Sequence, residues 1–221
     1  MEKFRIPANY ESFLFDLNGT MIDDMHYHVK AWHDILNRLG ANITMEKMKE
    51  ECYGKNDELL ERTFPGRFSG EEKRKMSFEK ERDYQAAYIH ELKLIEGLDT
   101  LIREAHARGI RMAIGSAAIM FNIDFVLDNL SLRPYFSVLV SADDVSRSKP
   151  DPETFLRCAG LLGSDPSNCL VFEDAPKGVE SAQRAGMDAI VILGSHEPRE
   201  FEQFENILHM APDFRFIEIP D

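Results

Sequence analysis

The chain has 221 residues and a formal net charge of −13, a size that suits one domain, or one domain with a sizeable insertion. That charge argues against nucleic acid or an anionic membrane as a partner, although a metal and one or two lysines can still make a single cleft attractive to a small anion. The three cysteines, Cys52, Cys158 and Cys169, are widely spaced with no CxxC; a disulfide framework or zinc site is not expected, and a reducing cytoplasm fits.

The opening stretch MEKFRIPANY lacks the apolar core of a signal peptide, and no apolar run approaches a membrane span. Buried strands are expected at Ser12–Asp16, Arg111–Gly115, Ser137–Ser141, Cys169–Glu173 and Ala189–Leu193. Helical patterns fill the intervals between the last four and precede the second. Strands alternating with helices imply a parallel sheet covered on both faces. The interval from about Met25 to Leu92 is too long for one crossover. It is charged and helical in pattern: YHVKAWHDILNRLG ends on a helix-stopping Gly40, and GEEKRKMSFEKERDYQAAYIHEL reads as a long amphipathic helix. The expected organisation is an α/β core, residues 1–24 and 93–221, with a small helical domain, 25–92, inserted after the first strand. Hinges are expected near Ile22–Met25 and Leu92–Gly97. The tail APDFRFIEIP suggests an added edge strand.

In such a sheet, ligands bind beyond the carboxyl ends of the strands. Asp16 ends the first strand, Ser116 follows the second, Lys149 follows the third, and Glu173-Asp174 end the fourth. Each alone has an ordinary explanation: acidic residues and serines cap helices, and a lysine before proline sits in a solvated loop. Together they fall on one edge of one sheet. Three carboxylates there repel one another unless a cation lies among them, and oxygen ligation suits a hard ion, most simply Mg²⁺. Ser116, in IGSAA, offers a hydroxyl beside free backbone N–H groups for a phosphate, and Lys149 offers a positive charge. Asp16 is then the natural nucleophile toward phosphorus. Gly19 permits a tight turn and Thr20 can bind a phosphate oxygen.

The ordered set DLNGT, GSA, SKPDP and FEDAPKGVESAQRAG resembles the four motifs of the haloacid dehalogenase superfamily over nearly the whole chain. Nearest is its β-phosphoglucomutase-like subfamily of phosphatases and phosphomutases, whose small helical cap the insert resembles. The resemblance implies a Rossmann-like doubly wound parallel sheet with an inserted all-helical cap, and a Mg²⁺-dependent phosphatase of a small phosphorylated metabolite, such as a sugar phosphate. The enzyme would be a monomer or weak homo-oligomer. Asp16 would be nucleophile and metal ligand, Asn18 a metal ligand through its carbonyl, Asp174 a ligand and Glu173 a direct or indirect one. Ser116, Ala117 and Lys149 would hold the phosphate. In the cap, His28, Lys55 and Lys80 match positions that face substrate or the acid/base; His28 as a hinge residue and Lys80 as a solvated one are the ordinary readings.

Two departures stand out. Asn18 occupies the place of the family's acid/base aspartate, and an amide has no proton to exchange; such help is worth roughly 10²–10⁴ in rate. Ile119 and Met120 stand where the mutases bind a second phosphate, which speaks against a mutase. Four accounts of Asn18 are open: an engineered exchange, a substrate whose leaving group needs little protonation, a proton from elsewhere such as His28, or a ligand-binding protein that turns over poorly. A phosphonoacetaldehyde hydrolase-like enzyme with Lys55 as Schiff-base lysine is a rival, although the spacing after Gly54 matches poorly. The metal-free dehalogenases are disfavoured by FEDA.

Overall fold

A computed structural model describes residues 3–220. It divides into two compact units, one running to Asp23 and resuming at Lys93, the other Asp24–Leu92.

The first unit is built on six parallel strands: β2 Ser12–Phe15, β3 Arg111–Gly115, β4 Val138–Val140, β5 Cys169–Glu173, β6 Asp188–Ile192 and β7 Ile207–Ala211. Their order is β4-β3-β2-β5-β6-β7. The chain builds outward from β2 in one direction, then returns to its other side at β5. This reversal opens a crevice at the carboxyl end of β2, where ligands of doubly wound sheets bind. Helices α5 Leu98–Ala107, α6 Met120–Asn129, α7 Glu153–Leu162 and α8 Pro176–Arg184 form the crossovers.

All four residues of β2 are buried, so the strand can be apolar on both faces. Leu14 packs with Phe155, Cys158 and Ala159 of α7 and Val179 and Ala182 of α8. Phe13 and Phe15 point the other way. Phe15 stacks on Phe172 at 4.6 Å between ring centres and meets Phe136 edge-on at 5.8 Å. Both strands flanking the site are thus anchored by large buried rings just before their polar ends. Asp16 is held by its own backbone too, its N–H donating to the Phe172 carbonyl at 3.0 Å.

The C-terminal stretch does more than the sequence suggested. Edge strand β7 lies outside the five expected strands. The tail forms β8 Ile217–Glu218, which pairs in parallel with β1 Phe4–Arg5 as a separate two-stranded sheet. Strands of two residues, or of five with four half-exposed, have too little buried apolar run for their pattern to stand out. Between β7 and β8, Phe214 is buried against Phe15 and Phe172, and its N–H donates to the Glu96 carbonyl at 3.0 Å. Gly97, at φ +85°, lies under this segment: a Cβ there would come within 2.5 Å of the Arg215 nitrogen.

The second unit contains α1 Met25–Arg38, α2 Met45–Glu51, α3 Asn56–Thr63 and α4 Gly70–Tyr88. Thr44 and Ser69 cap α2 and α4 through their hydroxyls, and Gly40 follows α1 at φ +94°. Trp32, Leu36, Met48, Leu59 and Leu60 make its apolar core.

Replacing a buried phenylalanine by alanine costs about 3–5 kcal/mol. Phe214→Ala is therefore expected to lower the unfolding free energy by about that amount in urea titration; a change under about 1 kcal/mol would show that the tail is not part of the core.

Candidate active site

Asp16, Glu173 and Asp174, expected together from their strand ends, do converge. All three are buried, and one carboxylate oxygen of each lies within 4.8 Å of the others. Lys149 enters from the segment after β4. Its ammonium donates to Asp16 Oδ1 at 2.6 Å and to Glu173 Oε1 at 2.7 Å, and sits 4.5 Å from the centre of the Phe155 ring. Burial alone would push this lysine's pKa down; the charges of Asp16 and Glu173 outweigh it and hold the group protonated.

Glu173 has both oxygens engaged. While Oε1 meets Lys149, Oε2 accepts from the backbone N–H groups of Asp174 and Ala175 at 2.8 and 2.9 Å, at the start of α8. The side chain folds so tightly over that helix that a Cβ on Gly178 would lie 1.8 Å from Oε1. Gly178 escaped the sequence reading. The available signal was a glycine in the first turn of a helix, which costs helix stability and marks a close approach.

Thr20 was expected to bind a phosphate oxygen. It is fully buried and donates its hydroxyl proton to Asp174 Oδ1 at 3.0 Å, so it orients that carboxylate. Burial, then the charges of Glu173 and Asp16, push the Asp174 pKa well up; Thr20 and Lys149 oppose this less strongly. One lysine against three buried carboxylates leaves a deficit of positive charge, in a pocket of oxygen donors. A hard divalent cation fits that deficit.

The turn after Asp16 is closed by local bonds. Met21 and Ile22 donate to the Leu17 carbonyl, and Gly19 donates to the Ile22 carbonyl at 2.8 Å. Gly19 has φ +86°, and a Cβ on it would lie 2.2 Å from Asp174 Oδ2. Half-buried Asn18 is therefore fixed in place two residues beyond Asp16. Ser116 is buried at the end of β3, but α6 begins only at Met120, with Ile119 as its N-cap. Ser116 Oγ instead accepts from the Ala118 N–H at 3.1 Å, shaping a short turn that contains half-buried Ala117.

The remaining three residues belong to the helical unit. Lys80, read as a solvated or cleft-facing lysine, is only 2 % exposed. Its ammonium donates to both oxygens of Glu81 at 2.9 Å and to His28 Nδ1. His28 Nε2 then donates to Asp24 Oδ2 at 3.1 Å, and the Tyr84 hydroxyl donates to the same oxygen. Asn56 extends the chain, donating to Glu81 and Ser77 and accepting from Trp32. A lone lysine on a charged helix gave no hint of this, because Asp24, Asn56 and Glu81 are far apart in sequence. Lys55 is half-buried at the N-cap of α3, its N–H donating to Glu58 Oε2 at 3.0 Å.

Removing one partner from a buried charge network costs about 3–5 kcal/mol. Lys149→Met is expected to lose about that much stability at neutral pH in metal-free buffer. The loss should shrink in acid, where protonation relieves the stranded carboxylates; equal loss at both pH values would contradict the charge argument.

Residues 13–192 match the profile of the haloacid dehalogenase-like hydrolase family. The chain is 30 % identical over 181 residues to the fructose-1-phosphate phosphatase YqaB of Escherichia coli, covering 82 % of this chain and 95 % of that one. It is 29 % identical to the β-phosphoglucomutase of Bacillus subtilis, covering 85 % of each. Among solved structures, a family IA, variant 3 HAD hydrolase from Entamoeba histolytica superposes with a TM-score of 0.84 at 27 % identity, covering 95 % of this chain and 96 % of that one. The chain thus belongs to the haloacid dehalogenase-like hydrolases, in their β-phosphoglucomutase-like branch.

Proposed function

We propose that this protein is a Mg²⁺-dependent phosphatase of small phosphorylated metabolites, with Asp16 as the nucleophile. The observation that carries the reading is the Lys149 ammonium seated between Asp16 and Glu173, beside Asp174. A phosphatase relative that acts on a sugar phosphate supports the substrate class.

Lys149 fixes Asp16 Oδ1 through its ion pair; Oδ2 is the oxygen that attacks phosphorus. The bond from phosphorus to the leaving oxygen breaks, giving an aspartyl phosphate. Water then attacks phosphorus, the bond to Asp16 breaks, and the carboxylate is restored as inorganic phosphate leaves. Ser116 and the N–H groups of its turn bind the transferring group, and Lys149 balances its charge. Asp16, Asp174 and the Asn18 carbonyl would hold Mg²⁺, with Glu173 supporting from the side because its oxygens are engaged. The bound cation would neutralise phosphate oxygens as charge builds on them. The helical unit acts as the cap that admits substrate and excludes water. The apolar side chains of Ile119 and Met120 disfavour a second phosphate site, and with it a mutase.

Phosphate release from a panel of sugar phosphates, pyrophosphate and acyl phosphates is expected with Mg²⁺ and is expected to vanish in Asp16→Ala. Tight binding of these ligands with no release from any would overturn the phosphatase. Thermal unfolding tests the cation separately. Mg²⁺ should raise the wild-type melting temperature and leave Asp174→Asn nearly unmoved. In chelator, Asp174→Asn should melt no lower than wild type, since it relieves one of three crowded carboxylates. A wild type indifferent to Mg²⁺ would remove the metal from the proposal.

A further inference from the structure

Among the described residues of the first unit, no side chain at the strand ends is spare to serve as an acid for the leaving group. Asn18 is held by the closed turn after Asp16, and its amide neither gives nor takes a proton at neutral pH. The titratable groups gathered around it each have another task. Lys149 is bonded to two carboxylates, Glu173 is bonded through both oxygens, Asp174 receives the Thr20 hydroxyl, and Asp16 attacks. The two half-reactions need such a group for opposite reasons. The first must protonate a poor leaving oxygen; the second must take a proton from water.

We propose that the site takes activated phosphoryl donors, acyl phosphates and phosphoanhydrides, and that the aspartyl phosphate on Asp16 then persists because its hydrolysis lacks a base. This rests on the phosphoryl-transfer reading above. In the first step, the new bond joins Asp16 Oδ2 to phosphorus. The bond that breaks releases its electron pair to a carboxylate or phosphate anion. A carboxylate, with pKa about 4, departs without a proton, and a phenolate, about 10, departs with modest difficulty. A sugar alkoxide is far more basic, close to hydroxide, and needs one. In the second step, water oxygen joins phosphorus, the pair returns to Asp16 and the proton goes to solvent unaided. The first step is fast for such donors and the second is slow for all.

The test uses the full chain with Mg²⁺ and three probes: acetyl phosphate, p-nitrophenyl phosphate and glucose 6-phosphate. With acetyl phosphate, and with p-nitrophenyl phosphate as an aryl ester whose nitro group lets the phenolate leave without a proton, the expected result is a burst of about one equivalent followed by slow turnover. Intact-protein mass should rise by one phosphoryl group, and Asp16→Ala should abolish the rise. Phosphorylation by glucose 6-phosphate should be slower by roughly 10²–10⁴. Asn18→Asp should restore glucose 6-phosphate turnover by a comparable factor and erase the burst. Equal rates with glucose 6-phosphate and acetyl phosphate in the wild type, without phosphoenzyme, would overturn the proposal while leaving the phosphatase reading intact. No release and no mass change with any probe would overturn that reading and this inference together. The wild-type comparison decides the matter even if Asn18→Asp fails to fold.

Discussion

Three carboxylates within 4.8 Å, all buried, form an arrangement that the fold must neutralise before it can use it. Lys149 does most of this from one position. It reaches Asp16 just past β2 and Glu173 at the end of β5 at once, and it leans on the Phe155 ring of α7. The order of the sheet makes that reach possible, because β2 and β5 are neighbours although their first pair, Ser12 and Cys169, lies 157 positions apart in the chain. Phe15 and Phe172, stacked one residue before the two polar ends, set the separation that the ammonium spans. Gly178 and Gly19 are the backbone's concessions to the same cluster: each leaves space that a methyl group would take from a carboxylate.

The helical unit solves a related problem differently. Its apolar core is small, and a chain of buried polar groups runs beside it from Trp32 through Asn56, Glu81, Lys80 and His28 to Asp24 and Tyr84. A buried ion pair such as Lys80–Glu81 adds little net stability, since desolvation offsets the attraction. What it supplies is geometry: α1, α3 and α4 can satisfy these partners in one register. A chain of bonded groups in a low-dielectric interior tolerates few substitutions, because each loss strands a neighbour.

The sequence made the sheet legible wherever burial on both faces forced an unbroken apolar run, as in Arg111–Gly115 and Cys169–Glu173, which match the observed strands residue for residue. It missed β7 and β1 and gave β8 only as an added edge strand in the tail, because half-exposed or two-residue strands carry no such run. At the site, residues that sit at strand ends could be grouped without coordinates, because strand order in a parallel sheet limits where they emerge. The direction of a hydroxyl could not. Thr20 turns to Asp174 and Ser116 to its own turn, choices set by local backbone geometry that no residue spacing records. The buried chain of the helical unit was hidden for the same reason, since its members share no motif.

The two passages of backbone leading to the helical unit leave the sheet side by side. Ile22 and Leu94 form an antiparallel bridge, Ile95 donates to the Met21 carbonyl, and the next carbonyl, Glu96, is taken by Phe214 near the chain's end. Both connections are thus tied down within the first unit, and the C-terminal segment, by taking the Glu96 carbonyl, belongs to that anchorage rather than trailing from it.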